Sequence, residues 1–274
     1  MSGAGAHLSS EQGAAAEARA DRAAWQPLSD ELDLWAAAGR TATLWWRDDD
    51  AADATPQLER LLALAAATSV PLALAVVPYQ LVPSMVARLA VCEHVSVLQH
   101  GWRHANHAGK GEGGWELGDH RPLAEVLEEL AAGRERLAAA FGGRFLPVLA
   151  PPWNHIAPRV VQSLPGAGFI GLSTFRARAS AAPAPGLAQV NGHCDPITWK
   201  GGARFAGTAK ALADLTGHLY ARRTAAADPE EPTGLVTHHL ALDEPAWAFV
   251  AELLRRTTAH PAARWQSARA IFRP

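Results

Sequence analysis

Residues 41–77 read TATLWWRDDDAADATPQLERLLALAAATSVPLALAVV, and this stretch contains the repeating unit of the predicted fold. Thr41–Arg47 is a short apolar run with a charged end and predicts a β-strand. Thr55–Ala67 has a capping Thr, a Pro in its first turn and leucines at helical spacing, so it predicts a helix. Leu72–Val77 is a continuous apolar run typical of a buried strand. Together they predict a strand–helix–strand unit.

The same alternation continues to the end of the chain. Further strands are predicted at Val95–Leu98, Phe145–Leu149, Ile170–Ser173, Ala188–Asn191 and Leu235–Thr237, and further helices at Pro83–Ala90, Leu123–Ala140, Ala157–Leu164, Ala206–Arg223 and Pro245–Arg256. Strands that alternate with helices predict parallel βα units, and seven or eight such units favour a barrel over two separate domains.

We therefore predict one α/β domain. No linker interrupts residues 40–270, because the Pro- and Ala-rich stretch Arg176–Gly186 is short and is interpreted as a surface loop. Residues 26–274 are assigned to the barrel domain. Residues 1–25 are rich in Ala, Ser, Gly and Glu with little periodicity, and they are expected to form a disordered or loose tail.

The composition excludes several classes of protein. The 274 residues include 49% hydrophobic and 19% charged residues, the balance of a globular protein. The net charge is −2 and the pI about 6.6, without the basic excess that nucleic-acid binding favours. No apolar run reaches the roughly 18 residues of a membrane span. The N-terminus lacks a signal-peptide pattern, so a cytoplasmic protein is expected.

Chemically reactive side chains follow five of the predicted strands. In parallel α/β folds, reactive groups collect at the carboxyl ends of the strands. Here those ends are followed by Asp48–Asp50, by residues 99–107 (QHGWRHANH), by residues 150–155 (APPWNH), by residues 192–199 (GHCDPITW) and by His238–His239. This agreement between topology and chemistry predicts one functional site at one end of the barrel.

The first candidate group is a metal site. His100 and His104 are four residues apart, and on a helical turn this spacing puts both rings on one face, which His107 extends. Alone, such a pair is common on surface helices, and the acids of Asp48–Asp50 alone fit a solvated turn. Together they predict two His and one carboxylate, an open set of ligands that leaves a position for water as in catalytic zinc sites.

Aromatic, acidic and basic residues after the later strands are candidates for substrate contacts. Trp153 follows two prolines, and it fits either the hydrophobic core or a wall for a sugar ring or acyl group. Asp195 and Trp199 likewise fit either a turn acid and a core Trp or a binding pair. At most one of His238 and His239 faces the core, and a His at the mouth of the barrel fits a general acid.

In chain order, these motifs resemble those of the polysaccharide deacetylases with NodB homology, carbohydrate esterase family 4, with this chain as a divergent member. That family has an Asp-Asp motif, a His-x-x-x-His motif, an Arg-Pro-Pro-Tyr/Trp-like motif, an Asp-x-x-x-Trp-like motif and a Leu-x-x-His motif. The matching residues here are Asp49-Asp50, His100 to His104, Ala150-Pro151-Pro152-Trp153, Asp195 to Trp199 and Leu235 to His238. The resemblance spans about residues 41–240.

The resemblance implies a distorted (β/α)7 TIM-like barrel and a divalent metal, usually zinc. It implies that Asp50, His100 and His104 hold the metal, that Asp49 is the catalytic base and that His238 is the catalytic acid. A register shifted by one, with Asp48 as the base and Asp49 as the ligand, stays open. The candidates for substrate binding are Trp153, Asp195 and Trp199, and the further candidates for the site are Asp48, His107 and His239.

One departure from the family pattern bears on activity. The third motif of the family usually begins with an Arg that contacts the catalytic Asp, and this chain has Ala150 there. Arg47 and Arg103 are the candidates to replace that Arg in space. The resemblance implies a hydrolase that removes an acetyl group from an N-acetylated sugar, a glycan precursor or a related small N-acyl compound. The alternatives are a catalytically impaired glycan-binding barrel and an amidohydrolase acting on another small C–N substrate.

Overall fold

Strands and helices alternate along the chain. The structure, a computed structural model, describes residues 23–273. The helices are α1 (23–37), α2 (Pro56–Thr68), α3 (Pro83–Leu89), α4 (Leu123–Phe141), α5 (Pro158–Ser163), α6 (Thr208–Arg223), α7 (Glu244–Ala259) and α8 (Ala268–Ile271). The strands are β1 (Ala42–Ala51), β2 (Leu72–Val76), β3 (Val95–Gln99), β4 (Phe145–Leu149), β5 (Gly171–Leu172), β6 (Ala188–Gln189), β7 (Ile197–Thr198), β8 (Arg204–Phe205), β9 (Thr233–Thr237) and β10 (Ala263–Trp265).

Local signals in the sequence explain where the helices begin. α2 begins at Pro56 because Thr55 caps it, and the Thr55 Oγ1 accepts a hydrogen bond from the N–H of Leu58 at 3.1 Å. α7 begins in the same way after Asp243, whose Oδ1 accepts from the N–H of Ala246 at 2.9 Å. Every strand and helix predicted from Thr41 onward is present, and among the strands and α-helices of this part of the chain the sequence analysis missed β7, β8, β10 and α8.

The predicted barrel is confirmed. β1 to β6 are parallel and hydrogen-bonded in chain order, and β9 pairs in parallel with β1. The ring closes through the segment after β6, where the N–H of His193 donates to the Gly234 carbonyl at 2.8 Å and the N–H of Val236 donates to the Cys194 carbonyl at 2.8 Å. Seven parallel strands joined by this short seam form a distorted (β/α)7 barrel in one domain.

The alternation of side chains along β1 determines which of its residues face the barrel interior. Trp45 packs inside the barrel against small and aliphatic residues of the other strands, while Leu44 and Trp46 pack in the layer between the strands and the helices. Since successive residues of a strand point to opposite faces, Arg47 and Asp49 share the inward face with Trp45. Both are almost completely buried.

The N-terminal tail expected at residues 1–25 lies outside the described residues except for its last three positions. Those three belong to α1, and Trp25 is buried there with its ring stacked on Phe249 at a centroid distance of 5.3 Å. Within residues 23–273, no helix is long and apolar enough to cross a membrane.

The seam of the barrel predicts a large difference between two glycine substitutions. A Cβ on Gly234 would lie 2.4 Å from the Asn191 carbonyl oxygen and 2.6 Å from Trp45 Nε1. We expect Gly234→Ala to lower the free energy of unfolding by about 1–3 kcal/mol, because the seam has to open to admit the methyl group. Urea denaturation followed by circular dichroism measures this change.

Gly217→Ala is the matched control. Gly217 is an exposed residue within α6, and a Cβ there meets nothing within 4 Å. Alanine there is expected to raise the free energy of unfolding by about 0.5–1 kcal/mol, since Gly is the weaker helix former. Equal stabilities of the two variants would contradict the packing described for the seam.

Candidate functional site

The acidic triplet lies within β1, which continues four residues beyond the predicted end at Arg47. β1 stays paired with β2 as far as Ala51, and the register shifts between Asp48 and Ala51. Asp50 has the left-handed backbone angle φ 66° at this irregularity. A bulge of this kind interrupts the alternation of side chains. The adjacent residues Asp49 and Asp50 therefore both line the same cleft.

Asp50, His100 and His104 converge on one point. Asp50 Oδ1 lies 3.1 Å from His100 Nε2 and 3.3 Å from His104 Nε2. The ligand atoms of all three residues lie within 4.8 Å of one another. Two imidazoles and one carboxylate are ligand types that can hold a divalent metal ion, and all three residues line the cleft.

The protonation of His100 shows that this point suits a cation. His100 Nδ1 lies 2.9 Å from the carbonyl oxygen of Ala150, which can only accept, so Nδ1 carries a proton. In the neutral ring, the Nε2 lone pair then faces the Asp50 oxygen. That Asp50 oxygen is buried and has no hydrogen-bond partner among the described residues. Lone pairs that face each other at this distance need a cation between them, and the carbonyl contact orients the ring as in known metal sites.

The electrostatics of Asp50 and His100 also favour a positive charge at this point. Burial opposes the charged form of Asp50, but the close contact with His100 and attraction from the neighbouring histidines outweigh it and lower the pKa of the carboxyl group. Burial also opposes charge on His100, while contact with Asp50 raises its pKa. Burial and the neighbouring His100 lower the pKa of His104. Near neutral pH, His104 is thus neutral, the form in which histidine binds metals.

The two histidines are brought together by a loop, and the helical turn expected from their spacing is absent from residues 100–107. His104 reaches back toward Asp50 because its own backbone is left-handed, with φ 59°. Without a helix, His107 does not continue the face of the other two rings. It is exposed, its N–H donates to the Trp115 carbonyl at 2.9 Å, and it lies outside both the metal group and the cleft lining.

Asp49 is paired with Arg47 inside the barrel. Arg47 Nε lies 2.8 Å from Asp49 Oδ1, and one terminal nitrogen of the guanidinium donates to Asp49 Oδ2 at 3.0 Å. The guanidinium also donates to Asn154 Oδ1 at 2.6 Å and to the Ser173 carbonyl at 2.9 Å. Arg103 has no such role, because its guanidinium packs on the Tyr79 ring at 4.1 Å. Of the two arginines that the sequence offered, Arg47 contacts Asp49.

Asp48 and His239 form a separate buried pair behind the site. Asp48 Oδ1 lies 2.5 Å from His239 Nδ1, and Asp48 Oδ2 accepts from the N–H of His239 at 3.0 Å and from Thr237 Oγ1 at 2.6 Å. Burial opposes the charge on His239, but the Asp48 carboxylate raises its pKa. Neither residue lines the cleft. Asp48 and His239, two further candidates for the site from the sequence, therefore stabilise the contact between β1 and the end of β9.

His238 lies between two carboxylates that also line the cleft. Its Nε2 is 3.9 Å from Asp49 Oδ2, and its Nδ1 is 3.7 Å from Asp195 Oδ2. Asp195 is oriented by hydrogen bonds from the N–H of Ile197 at 2.8 Å and from Trp199 Nε1 at 3.0 Å. The Trp199 ring meets the His238 ring edge to face at 4.7 Å. These contacts fix His238 at the mouth of the cleft.

Two tryptophans form exposed aromatic walls. Trp153 is 37% exposed and Trp199 50% exposed, and both line the cleft. Trp153 packs on His104 with a centroid distance of 4.3 Å. Gly114 supports the other side of its ring, since a Cβ there would approach within 2.3 Å of the indole. Exposed, rigid aromatic faces of this kind suit a sugar ring.

Backbone strain is concentrated in this cleft, whose volume is about 710 Å³. Seven non-glycine residues of the described chain have positive φ angles, and five of them line the cleft: Asp50, His104, Trp153, Asn154 and Arg176. Each such residue costs about 1–3 kcal/mol and persists only where its surroundings hold it, as at functional sites. Asn154 and Arg176 were not singled out by the sequence analysis, because Asn154 lay beside the more prominent Trp153 and Arg176 lay in a stretch interpreted as a surface loop.

A second cluster, His193, His218 and Glu231, has the composition of a metal site but the contacts of a structural network. His193 Nδ1 accepts a hydrogen bond from the N–H of Gly234 at 2.9 Å, so the proton of the neutral ring lies on Nε2 and points toward Glu231. The two imidazoles stack at 3.3 Å with only 14° between their planes. One cation cannot lie in both of these parallel planes, so the lone pairs do not converge on a metal.

The comparisons with known proteins give the fold. No family model and no curated protein sequence matches the chain. Among solved structures, it is similar to a peptidoglycan N-acetylglucosamine deacetylase, with 15% identity over 85% of this chain and 88% of that one and a TM-score of 0.54. It is also similar to a family 4 carbohydrate esterase from Streptomyces lividans in complex with acetate, with 13% identity over 82% and 91% and a TM-score of 0.54.

A family 4 carbohydrate esterase from Streptococcus mutans is similar at 14% identity over 84% of this chain and 85% of that one, with a TM-score of 0.54. The barrel is thus the fold of the family 4 carbohydrate esterases, which include polysaccharide and peptidoglycan deacetylases. The fold that the sequence motifs implied is confirmed.

The second cluster predicts a loss of stability in acid. Burial lowers the pKa of His193 to about 4, below the value of 6.5 for an unperturbed His. The folded protein therefore binds fewer protons than the unfolded chain between these values, and its stability falls as the pH decreases from about 6.5 to 4.

His193→Asn keeps an acceptor for the N–H of Gly234 and removes this titration. We expect its free energy of unfolding to depend less steeply on pH in this window, by at most about 1.4 kcal/mol per pH unit. Urea denaturation from pH 7 to 4.5 measures both curves, and parallel curves would contradict the prediction.

Proposed function

We propose that the protein is a metal-dependent hydrolase that removes the acetyl group from an N-acetylated sugar, a glycan precursor or a related small N-acyl compound. One observation carries the proposal. The metal-ligand group of Asp50, His100 and His104 shares a single cleft with a buried carboxylate, Asp49, and with His238, which lies next to that carboxylate. A ligand set, a base and an acid around one cavity are the parts that metal-assisted amide hydrolysis requires.

Asp50, His100 and His104 would hold the metal, with zinc as the best match to two imidazoles and a carboxylate. A divalent ion in this position supplies Lewis-acid polarisation of the acyl group and makes water more acidic. The contact of His100 Nδ1 with the Ala150 carbonyl orients one ring, and packing on Trp153 orients His104.

Asp49 is proposed as the general base. Its carboxylate is oriented by two contacts with Arg47, so it is placed to accept a proton from the attacking water. The geometry favours the later pair of the acidic triplet as base and ligand, because Asp48 is engaged with His239 away from the cleft. Arg47 also supplies the cationic partner that the Ala150 position lacks, which argues against a catalytically impaired binding barrel.

His238 is proposed as the general acid. It would donate its proton to the departing amine nitrogen, and Asp195 behind it would stabilise the imidazolium form. Trp153 and Trp199 would form opposite walls for the sugar ring. The three residues proposed for substrate binding would therefore differ in their roles. Trp153 and Trp199 would contact the sugar ring, whereas Asp195 would orient His238 and Trp199.

Metal content and turnover test the proposal together. The zinc-reconstituted protein is expected to contain about one metal ion per chain and to release acetate from N-acetylated sugars. His104→Ala should lose both the metal and the activity. Asp49→Asn should keep the metal and lose about 10²–10⁴-fold in kcat, the range for a general base. Elemental analysis and an acetate assay measure these outcomes.

His107→Ala is the matched control, because His107 lies on the same loop and outside the metal group. It should retain the metal. Release of acetate that survives complete chelation would falsify the metal-dependent mechanism. Release of ammonia in place of acetate, from ureido or amide compounds, would assign the site to a different amidohydrolase reaction.

Arg47 is expected to position the base, and a charge-conserving substitution tests this role. Arg47→Lys keeps the positive charge, but one ammonium group cannot contact Asp49, Asn154 and Ser173 together as the planar guanidinium does. We expect kcat to fall about tenfold to a hundredfold, with KM changed less than about threefold and the zinc content retained.

Arg103→Lys is the control for Arg47→Lys, since the Arg103 guanidinium packs on Tyr79 outside the cleft. Steady-state kinetics and zinc analysis of both variants measure the difference. An increase in KM with unchanged kcat in Arg47→Lys would show that Arg47 acts on substrate binding instead of on the base.

A further inference from the structure

Arg176 is a cation on the cleft wall for which the described chain offers no acidic partner. It lines the same cleft as the metal-ligand group, and its side chain is exposed. The other non-histidine cation that lines this cleft is compensated, because Lys210 pairs with Asp214. Within residues 23–273, the Arg176 guanidinium has no ion pair, so it is available to a ligand.

The backbone of Arg176 is held in a strained conformation. Its φ angle is 77°, in the left-handed region that non-glycine residues adopt at a cost of about 1–2 kcal/mol. Two hydrogen bonds hold it there: its N–H donates to the Gly192 carbonyl at 2.7 Å, and its carbonyl accepts from Asn191 Nδ2 at 2.8 Å. The neighbouring Thr174 is held by the same side chain, since its N–H donates to Asn191 Oδ1 at 2.8 Å.

The buried carboxylate of Glu231 anchors this segment on both sides. Glu231 Oε1 accepts from the N–H of Asn191 at 3.0 Å, and Glu231 Oε2 accepts from the N–H of Arg178 at 2.9 Å. Arg178 itself is paired with Asp228 at 2.7 Å. Glu231 belongs to the cluster with His193 and His218, which lacks the geometry of a metal site. Its hydrogen bonds instead hold the backbone on both sides of Arg176 in place, and the Arg176 guanidinium stays free in the cleft.

We propose that Arg176 binds an anionic group of the substrate, a phosphate or a carboxylate, next to the sugar ring that carries the acyl group. The proposal rests on the proposed deacetylase function and names its substrate class: compact N-acylated sugars with a negative charge. A guanidinium donates in a planar fork that matches phosphate and carboxylate oxygens. A cleft of about 710 Å³ with two aromatic walls matches a ligand of this size.

The test compares charged and neutral substrates on the zinc-loaded full chain. The probes are N-acetylglucosamine, its 1-phosphate and 6-phosphate, and N-acetylglucosaminuronic acid. Arg176→Gly removes the side chain and suits the left-handed backbone, so the fold is retained. Arg176→Lys keeps the charge. Lys210→Ala is the matched control, since Lys210 is a cation of the same cleft that already has a carboxylate partner.

The wild-type protein should prefer an anionic probe, with a higher kcat/KM than for N-acetylglucosamine. In Arg176→Gly this preference should fall about tenfold to a hundredfold, the range for hydrogen bonds to charged groups. Arg176→Lys should keep part of the preference, and Lys210→Ala should keep most of it. A preference for the sugar phosphates would identify phosphate as the anionic group of the substrate, and a preference for the uronic acid would identify a carboxylate as that group. Equal losses on charged and neutral probes in Arg176→Gly, or no wild-type preference, would overturn the proposal.

A binding measurement separates the two proposals. If the zinc-loaded wild type releases acetate from none of these sugars, the proposed function fails. Titration calorimetry with the same phosphorylated and carboxylated sugars then decides on Arg176. Affinity at least tenfold higher for wild type than for Arg176→Gly supports the anion site on its own, and equal affinities overturn it.

Discussion

The ion pair between Arg47 and Asp49 inside the barrel is the interaction on which the site depends. Arg47 starts on β1, and its guanidinium reaches Ser173 after β5 and Asn154 after β4. Arg47 lies inside the barrel and balances the charge of Asp49, a carboxylate that is almost completely buried. Removing one partner of such a pair typically costs about 3–5 kcal/mol, because the other charge stays buried alone. The stability of the barrel and the orientation of Asp49 therefore depend on the same contact.

A regular barrel supports an irregular rim. The strands are regular at their centres, and the left-handed residues occur where the chain leaves them, at Asp50, His104, Trp153 and Arg176. Each turns a side chain toward the cleft that a regular strand or helix would direct elsewhere. Hydrogen bonds and close packing from neighbouring residues balance this strain. Asn191 donates a hydrogen bond to the Arg176 carbonyl, and the absence of a side chain on Gly114 lets the Trp153 ring pack against it. The residues around the site therefore hold its side chains in their positions.

Chemical composition alone does not identify a site. His193, His218 and Glu231 have the residue types of a metal centre, yet their ring planes are parallel and one Nδ1 accepts a backbone N–H. Conversely, Ala150 stands where the sequence motif implies an Arg, which suggests a defective site, yet Arg47 contacts Asp49 from within β1. In a barrel, the carboxyl ends of several strands face the same space, so one functional group can be supplied from more than one strand.

The sequence by itself determined the alternation of strands and helices and, with it, a parallel barrel, and these follow from patterns within a few residues, such as apolar runs and the cap at Thr55. The order of the motifs along the chain, through their resemblance to a known family, implied seven strands and the candidate ligand set of Asp50, His100 and His104. Tertiary structure decided that Asp48 faces His239, that Arg47 and not Arg103 meets Asp49, that a loop joins the two histidines and that Arg176 reaches the cleft. The physical reason is distance along the chain: Arg47 and Asn154 are 107 residues apart and Asp48 and His239 are 191 apart, so only folding brings them into contact.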